Sequence, residues 1–172
     1  QQFGLRPALL SAIGRDDAGQ ELIDQAAAMQ LITQYIYRSD DLPTDVYMAV
    51  EGANGLIAAV ADAHSLEAAG DRILRPLSDG TLGSDFNPWS GPIALDGNLT
   101  IELLQVIAKS PLFARADLRV APASPGKAER LLALIDHPTA TLYVNLEEAN
   151  LLCSMSHSTS KEAAKNLIAM GV

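Results

Sequence analysis

The sequence predicts an α/β fold, a mostly parallel sheet flanked by helices with a small antiparallel β insertion, and three observations predict it. Apolar β-type runs alternate with helix-type runs along the chain. β-type runs end in polar turns, such as Asp96-Gly97-Asn98 and Asn145, just before a helix begins. Two further β-type runs, Thr44–Val50 and Leu56–Val60, are joined by Glu51-Gly52-Ala53-Asn54-Gly55, a Gly-containing hairpin loop.

The elements follow in order. Ala8–Ile13 reads as a strand, and Gly14-Arg15-Asp16-Asp17-Ala18-Gly19 as a turn. The helix after it runs to about Gln30, with Asp16 or Asp17 as N-cap and Leu22, Ile23, Ala26 and Met29 on its apolar face. Ile36–Arg38 and the two hairpin runs form the insertion, so residues 34–63 are expected to be a lid on a core of residues 1–33 and 64–172. Ser65–Leu74 reads as a helix stopped by Pro76. Gly80–Gly91 is a turn-rich loop around Trp89. Three βα units complete the order. Their strands are Pro92–Leu95, Leu118–Val120 and Thr141–Val144. Their helices are Thr100–Ala108, a helix to Ile135 capped by Ser124 with Pro125 at its first position, and one opened by Asn145. A last helix, Lys161–Met170, carries a capping box in Thr159 and Glu162.

Composition bounds the function. The chain has 172 residues, 48% of them apolar and 19% charged, enough for one domain with a real core. A net charge of −9 leaves no basic patch for a nucleic-acid polymer, while a small anion needs only a few N–H groups and one or two cations. One cysteine, Cys153, excludes an internal disulfide and points to a reduced, cytoplasmic setting. No run approaches the roughly 18 apolar residues of a membrane span, and no signal peptide is visible. Gln1-Gln2-Phe3-Gly4 reads as the last turn of a helix, and Gly171-Val172 as a cap leading into a strand. Both ends then fall inside βα units, and the chain is expected to be a portion of a larger domain.

Several signals are discounted. Ser124-Pro125-Gly126-Lys127 lacks the first Gly and the final Ser/Thr of a phosphate loop, so Lys127 is expected to be a solvated helix residue. His64, His137 and His157 lack metal-ligand spacing. Cys153 follows Leu151 and Leu152 and reads as a core residue. Trp89 reads as a packing residue, with stacking on a ligand the alternative.

The strongest candidate site is Tyr143-Val144-Asn145-Leu146-Glu147-Glu148-Ala149, where a strand ends in Asn and a carboxylate follows three residues later. Taken alone, the motif favours a capping box. The same pair can also organise a hydrated Mg²⁺ beside a nucleotide phosphate at the carboxyl end of a strand.

Together these motifs resemble the ribokinase-like (PfkB-type) family of sugar and nucleoside kinases. Leu10–Gly19 is similar to its VGxDxxG segment. Leu42–Tyr47, the hairpin and Ala61-Asp62-Ala63 are similar to its lid, and Asn145-Leu146-Glu147-Glu148 matches its NxxE motif. Asp96-Gly97-Asn98, Ala121-Pro122-Ala123-Ser124 and the lid pattern look closest to the pseudouridine-kinase branch. The resemblance implies ATP and Mg²⁺ as cofactors and a small-molecule sugar or nucleoside, pseudouridine preferred, as acceptor. A ribokinase or fructokinase, or a non-catalytic nucleotide- or sugar-binding protein, are the alternatives. It implies that Asn145 and Glu148 bind the cofactor, Glu148 reaching metal through water. Asn98, Thr44 and Tyr47 would serve the acceptor, and the lid would support a homodimer. Asp16 is expected to cap its helix. The catalytic residue of the family, in a GAGD-type motif, has no counterpart: Ala68-Ala69-Gly70-Asp71 falls in the wrong place, so Asp71 is not assigned the role of base. A chain ending here is expected to be inactive as a kinase. Ala121 stands where many relatives carry Asp or Asn, with loss of one polar contact the simplest consequence.

Overall fold

The computed structural model describes residues 4–53 and 55–171. The helical turn expected at residues 1–3, the hairpin tip at Asn54 and the strand start at Val172 lie outside them. The chain divides into two units between Arg75 and Pro76.

In the first unit the order is β1 (Ala12–Gly14), α1 (Asp17–Ala28), β2 (Tyr37–Ser39), β3 (Val46–Gly52), β4 (Gly55–Asp62) and α2 (His64–Ala69). β1 pairs with β2 in parallel. The strand expected from Ala8 is interrupted: Ala8 bridges Ile32, then the partner carries one residue more before Ala12 meets Tyr37. The strand expected at Ile36–Arg38 therefore forms one residue later and belongs to the parallel pair, not to the antiparallel insertion. That insertion is β3–β4 alone, in register from Val46↔Asp62 to Gly52↔Gly55 with a bulge at Val50/Glu51.

α1 buries only a narrow stripe. Ala26 is buried and Ile23 half-buried, while Leu22 and Met29, expected on the same face, are exposed, since a two-stranded sheet offers little surface to cover them. The helix expected over Ser65–Leu74 breaks early. Gly70 takes a positive φ (+56°) open to glycine, and the chain continues as a 3₁₀ segment, Gly70–Leu77, with Pro76 inside it.

The second unit runs β5 (Pro92–Asp96), α3 (Ile101–Lys109), β6 (Asp117–Ala121), a 3₁₀ helix (Pro125–Leu134), β7 (Ala140–Leu142), α4 (Leu146–Cys153) and α5 (Ser160–Met170). The three strands form one parallel sheet in the order β5-β6-β7. Leu118 and Val120 point to the buried face, where Leu103, Leu104, Ile107, Leu131, Leu134 and Leu152 from the helices complete the core. Cys153 is buried in it, and burial pushes its thiol pKa up, as a packing residue rather than a nucleophile requires. No helix among the described residues is long and apolar enough to cross a membrane.

Candidate functional site at the carboxyl edge of the parallel sheet

Because β5, β6 and β7 are parallel, their carboxyl ends share one edge, and the polar turns after them collect there. Asn98 follows β5 and Asn145 follows β7, on either side of β6.

At β7 the capping reading is realised. Asn145 Oδ1 accepts from Glu148 N at 2.9 Å, and Glu148 Oε2 accepts from Asn145 N at 2.9 Å. These bonds satisfy two of the open amides of α4. They also define what remains for a ligand. Asn145, exposed, keeps its Nδ2 hydrogens, and Glu148, 8% exposed, keeps Oε1. Among the described residues no group of three or more His, Cys, Asp or Glu side chains could hold a metal ion. One carboxylate oxygen and no cage is a donor set that fits Mg²⁺, which keeps several waters and takes phosphate oxygens as ligands. A cavity of about 270 Å³ opens beside Asn145, lined by Leu142, Val144, Leu146, Ala149 and residues of α5. Asn98 is not part of its lining.

At β5 the turn is held tightly. Asp96 Oδ1 accepts from Asn98 N at 2.8 Å and Oδ2 from Asn98 Nδ2 at 3.2 Å. Gly97 is buried, and a Cβ there would lie 3.1 Å from Ala123 N and 3.2 Å from Pro122 Cα, so the turn rests directly on the segment after β6. Lys127, expected to be solvated, is half-buried and donates to Asn98 Oδ1 at 2.6 Å. Thr100 caps α3 by accepting from Leu103 N. Ser124 does not cap with its side chain. Its carbonyl accepts from Lys127 N, the i to i+3 bond of a 3₁₀ turn.

In the first unit, Asp16 caps α1 as expected and does more. Its carboxylate accepts from Gly19 N and from the amide and hydroxyl of Thr44, and Thr44 Oγ1 accepts from Gly14 N. Thr44 is thereby buried at the root of the hairpin. Tyr47, two residues into β3, is 65% exposed. Asp45 was missed by sequence reasoning: it accepts from Ser65 N at 2.9 Å and Leu66 N at 3.1 Å, capping α2 from a distance. The signal was Ala63, which precedes that helix and has no side chain able to cap it.

The three bonds to Asp16, the Thr44 hydroxyl first, lower its pKa from 3.8 to about 2. A depressed carboxylate stabilises the fold fully above its unfolded value. That contribution is lost as pH falls from 3.8 towards 2. Asp16→Asn is expected to flatten urea-midpoint profiles between these limits; a variant with the wild-type acid slope contradicts this role.

Residues 1–172 match the sequence profile of the pfkB family of carbohydrate kinases. No curated protein is significantly similar in sequence. Among solved structures, a carbohydrate kinase from Agrobacterium tumefaciens superposes with a TM-score of 0.73 at 23% identity, over 96% of this chain and 50% of that one. Ribokinase from Giardia lamblia gives 0.74 at 12% identity, over 95% and 50%. Arabidopsis thaliana ribokinase, in complex with ribose and ATP, gives 0.67 at 15% identity, over 97% and 53%. The chain thus has a ribokinase-like α/β fold and spans about half the length of these structures.

Proposed function

The chain belongs to the pfkB family of carbohydrate kinases, and from that premise we propose that it serves ATP-dependent phosphoryl transfer to a hydroxyl of a sugar or nucleoside, pseudouridine preferred. One observation carries the reading: Asn98 and Asn145 stand on the same edge of one parallel sheet, past the carboxyl ends of β5 and β7.

Phosphoryl transfer asks a protein mainly for alignment and charge stabilisation. Asn145 directs Nδ2 hydrogens to a phosphate oxygen, at the N-terminus of α4, where backbone amides favour an anion. Glu148 would hold a hydrated Mg²⁺ through water, on the carboxylate oxygen its cap leaves over. Bound there, Mg²⁺ supplies neutralisation of phosphate charge. Asn98 meets the acceptor. Thr44 and Tyr47 are assigned to the acceptor as well, Thr44 chiefly by fixing the root of the hairpin and Tyr47 by its exposed ring. No residue of this chain is assigned the role of base; Asp71 is an exposed residue of the 3₁₀ segment Gly70–Leu77. Ala121 leaves the last position of β6 without a polar side chain.

The hairpin favours a homodimer. Val46, Met48, Val50, Ala58 and Val60 lie on one face of β3–β4, and all are exposed. A two-stranded sheet is marginal without cover, and a second copy supplies a matching apolar face. The buried, reduced Cys153 suits a cytoplasmic setting.

The second reading is a ribokinase- or fructokinase-type acceptor, favoured by the ribokinases among the structures of this fold. Melting of the full-length protein with pseudouridine, uridine, ribose, fructose or adenosine, each with and without Mg-ATP, separates the two. Ligand that binds only the folded state raises stability with concentration. Pseudouridine is expected to give the largest shift; stabilisation by ribose or hexoses alone transfers the function to the second reading, and by nothing in the panel contradicts both.

A further inference from the structure

Two cations on one helix hold the turn that presents Asn98. Lys127 and Arg130 are three residues apart in the 3₁₀ helix Pro125–Leu134 and so lie on the same side of it. Lys127 Nζ donates to the Asn98 side-chain oxygen at 2.6 Å. Arg130 Nη1 lies within donating distance of the carbonyls of Gly97, Asn98 and Leu99, at 3.2, 3.3 and 3.1 Å. From the other side, Asp96 takes the backbone amide of Asn98 and one hydrogen of its Nδ2.

This arrangement assigns the polarity of an amide that is otherwise symmetric in shape. An ammonium only donates and a carboxylate only accepts. Turned over, the Asn98 amide would set NH₂ against the Lys127 ammonium and oxygen against the Asp96 carboxylate, losing both bonds. Lys127 takes one of the two lone pairs of Oδ1 and Asp96 takes one Nδ2 hydrogen, so the second Nδ2 hydrogen is the donor the side chain has left.

We propose that Lys127 is a positioning residue that fixes Asn98 as a hydrogen-bond donor, so that the group it meets on the acceptor is a lone-pair oxygen: a carbonyl, a ring oxygen or a hydroxyl acting as acceptor. The inference rests on Asn98 being an acceptor contact, as read above. Lys127 acts through Asn98, and its removal leaves Asp96 alone to hold the amide in this orientation.

The test is a double-mutant cycle on the full-length protein, read by steady-state kinetics with acceptor and ATP varied separately. Lys127→Met is expected to raise the acceptor KM about ten-fold, the loss of a hydrogen bond to a charged group, and to leave the ATP KM within about two-fold. In an Asn98→Ala background the same change is expected to cost less than about two-fold more, because the residue it acts through is gone. Lys127→Arg, which keeps a cationic donor, is expected to restore the acceptor KM to within about three-fold of wild type. Lys127→Ala provides a second neutral variant should Met disturb folding. An acceptor KM unchanged in either neutral variant overturns the inference, as does an equal rise in both KM values or a full ten-fold loss on top of Asn98→Ala. Those outcomes leave the kinase reading standing. A wild-type protein that phosphorylates no acceptor overturns the reading and this inference with it.

Discussion

Asn145→Ser is expected to lower the phosphoryl-transfer rate of the full-length protein about a hundred-fold while leaving its melting temperature nearly unchanged. The two roles of Asn145 call for different atoms. Its side-chain oxygen caps α4, bonded to Glu148 N at 2.9 Å, and serine caps about as well as asparagine. Its Nδ2 hydrogens are the donors assigned to phosphate, and serine has none in that place. Removing one preorganised donor from a developing charge costs on the order of 10²–10³ in rate. Asn145→Ala removes the cap as well and is expected to cost about 1 kcal/mol of stability besides. Glu148→Gln makes the complementary separation. Glutamine can complete a capping box, so the bond to Asn145 N survives, but the charge that holds a hydrated cation is gone. Its expected signature is a raised Mg²⁺ requirement with an intact fold. Melting curves and rates over a Mg²⁺ titration check both variants. If Asn145→Ser keeps the wild-type rate, capping is the whole role of the motif.

Gly19→Ala is expected to destabilise the first unit by about 2 kcal/mol, although alanine is the better helix former. Propensity alone favours the change by about 1 kcal/mol inside a helix. Sterics oppose it. A Cβ on Gly19 would collide with the carbonyl oxygen of Gly14, the hydroxyl of Thr44 and the side chain of Ile13. Overpacking of this kind costs about 1–3 kcal/mol, and more where a backbone atom must move. The displaced groups belong to the network in which Asp16 joins α1 to Thr44, so the root of the hairpin loosens with them. Urea denaturation checks the sign, and a stabilised variant contradicts the packing described.

The order of elements was legible because each depends on local chemistry. Asp16, Asn145 and Thr159 cap the helices they precede, as their residue types and positions predict, and Thr100, read as the first residue of its helix, proves to be its cap. What escaped the sequence was decided by distant partners. Asp45 caps α2 across twenty residues of chain. Lys127 looks like any surface lysine until the turn after β5 folds against its helix. β2 resembles part of the antiparallel insertion because strand polarity leaves no mark on composition, and only its pairing with β1 shows it to be parallel. The candidate site was legible in the same measure. Asn98 and Asn145 were found as strand-end residues, whereas the lysine that orients one of them was not.

A crystal structure of the full-length protein with a non-hydrolysable ATP analogue, Mg²⁺ and pseudouridine bears most directly on this account. It is expected to place a phosphate oxygen within about 3 Å of Asn145 Nδ2 and an oxygen of the nucleoside equally near Asn98 Nδ2. Nucleotide bound away from the carboxyl edge of β5–β7, with Asn145 touching only its own helix, contradicts it.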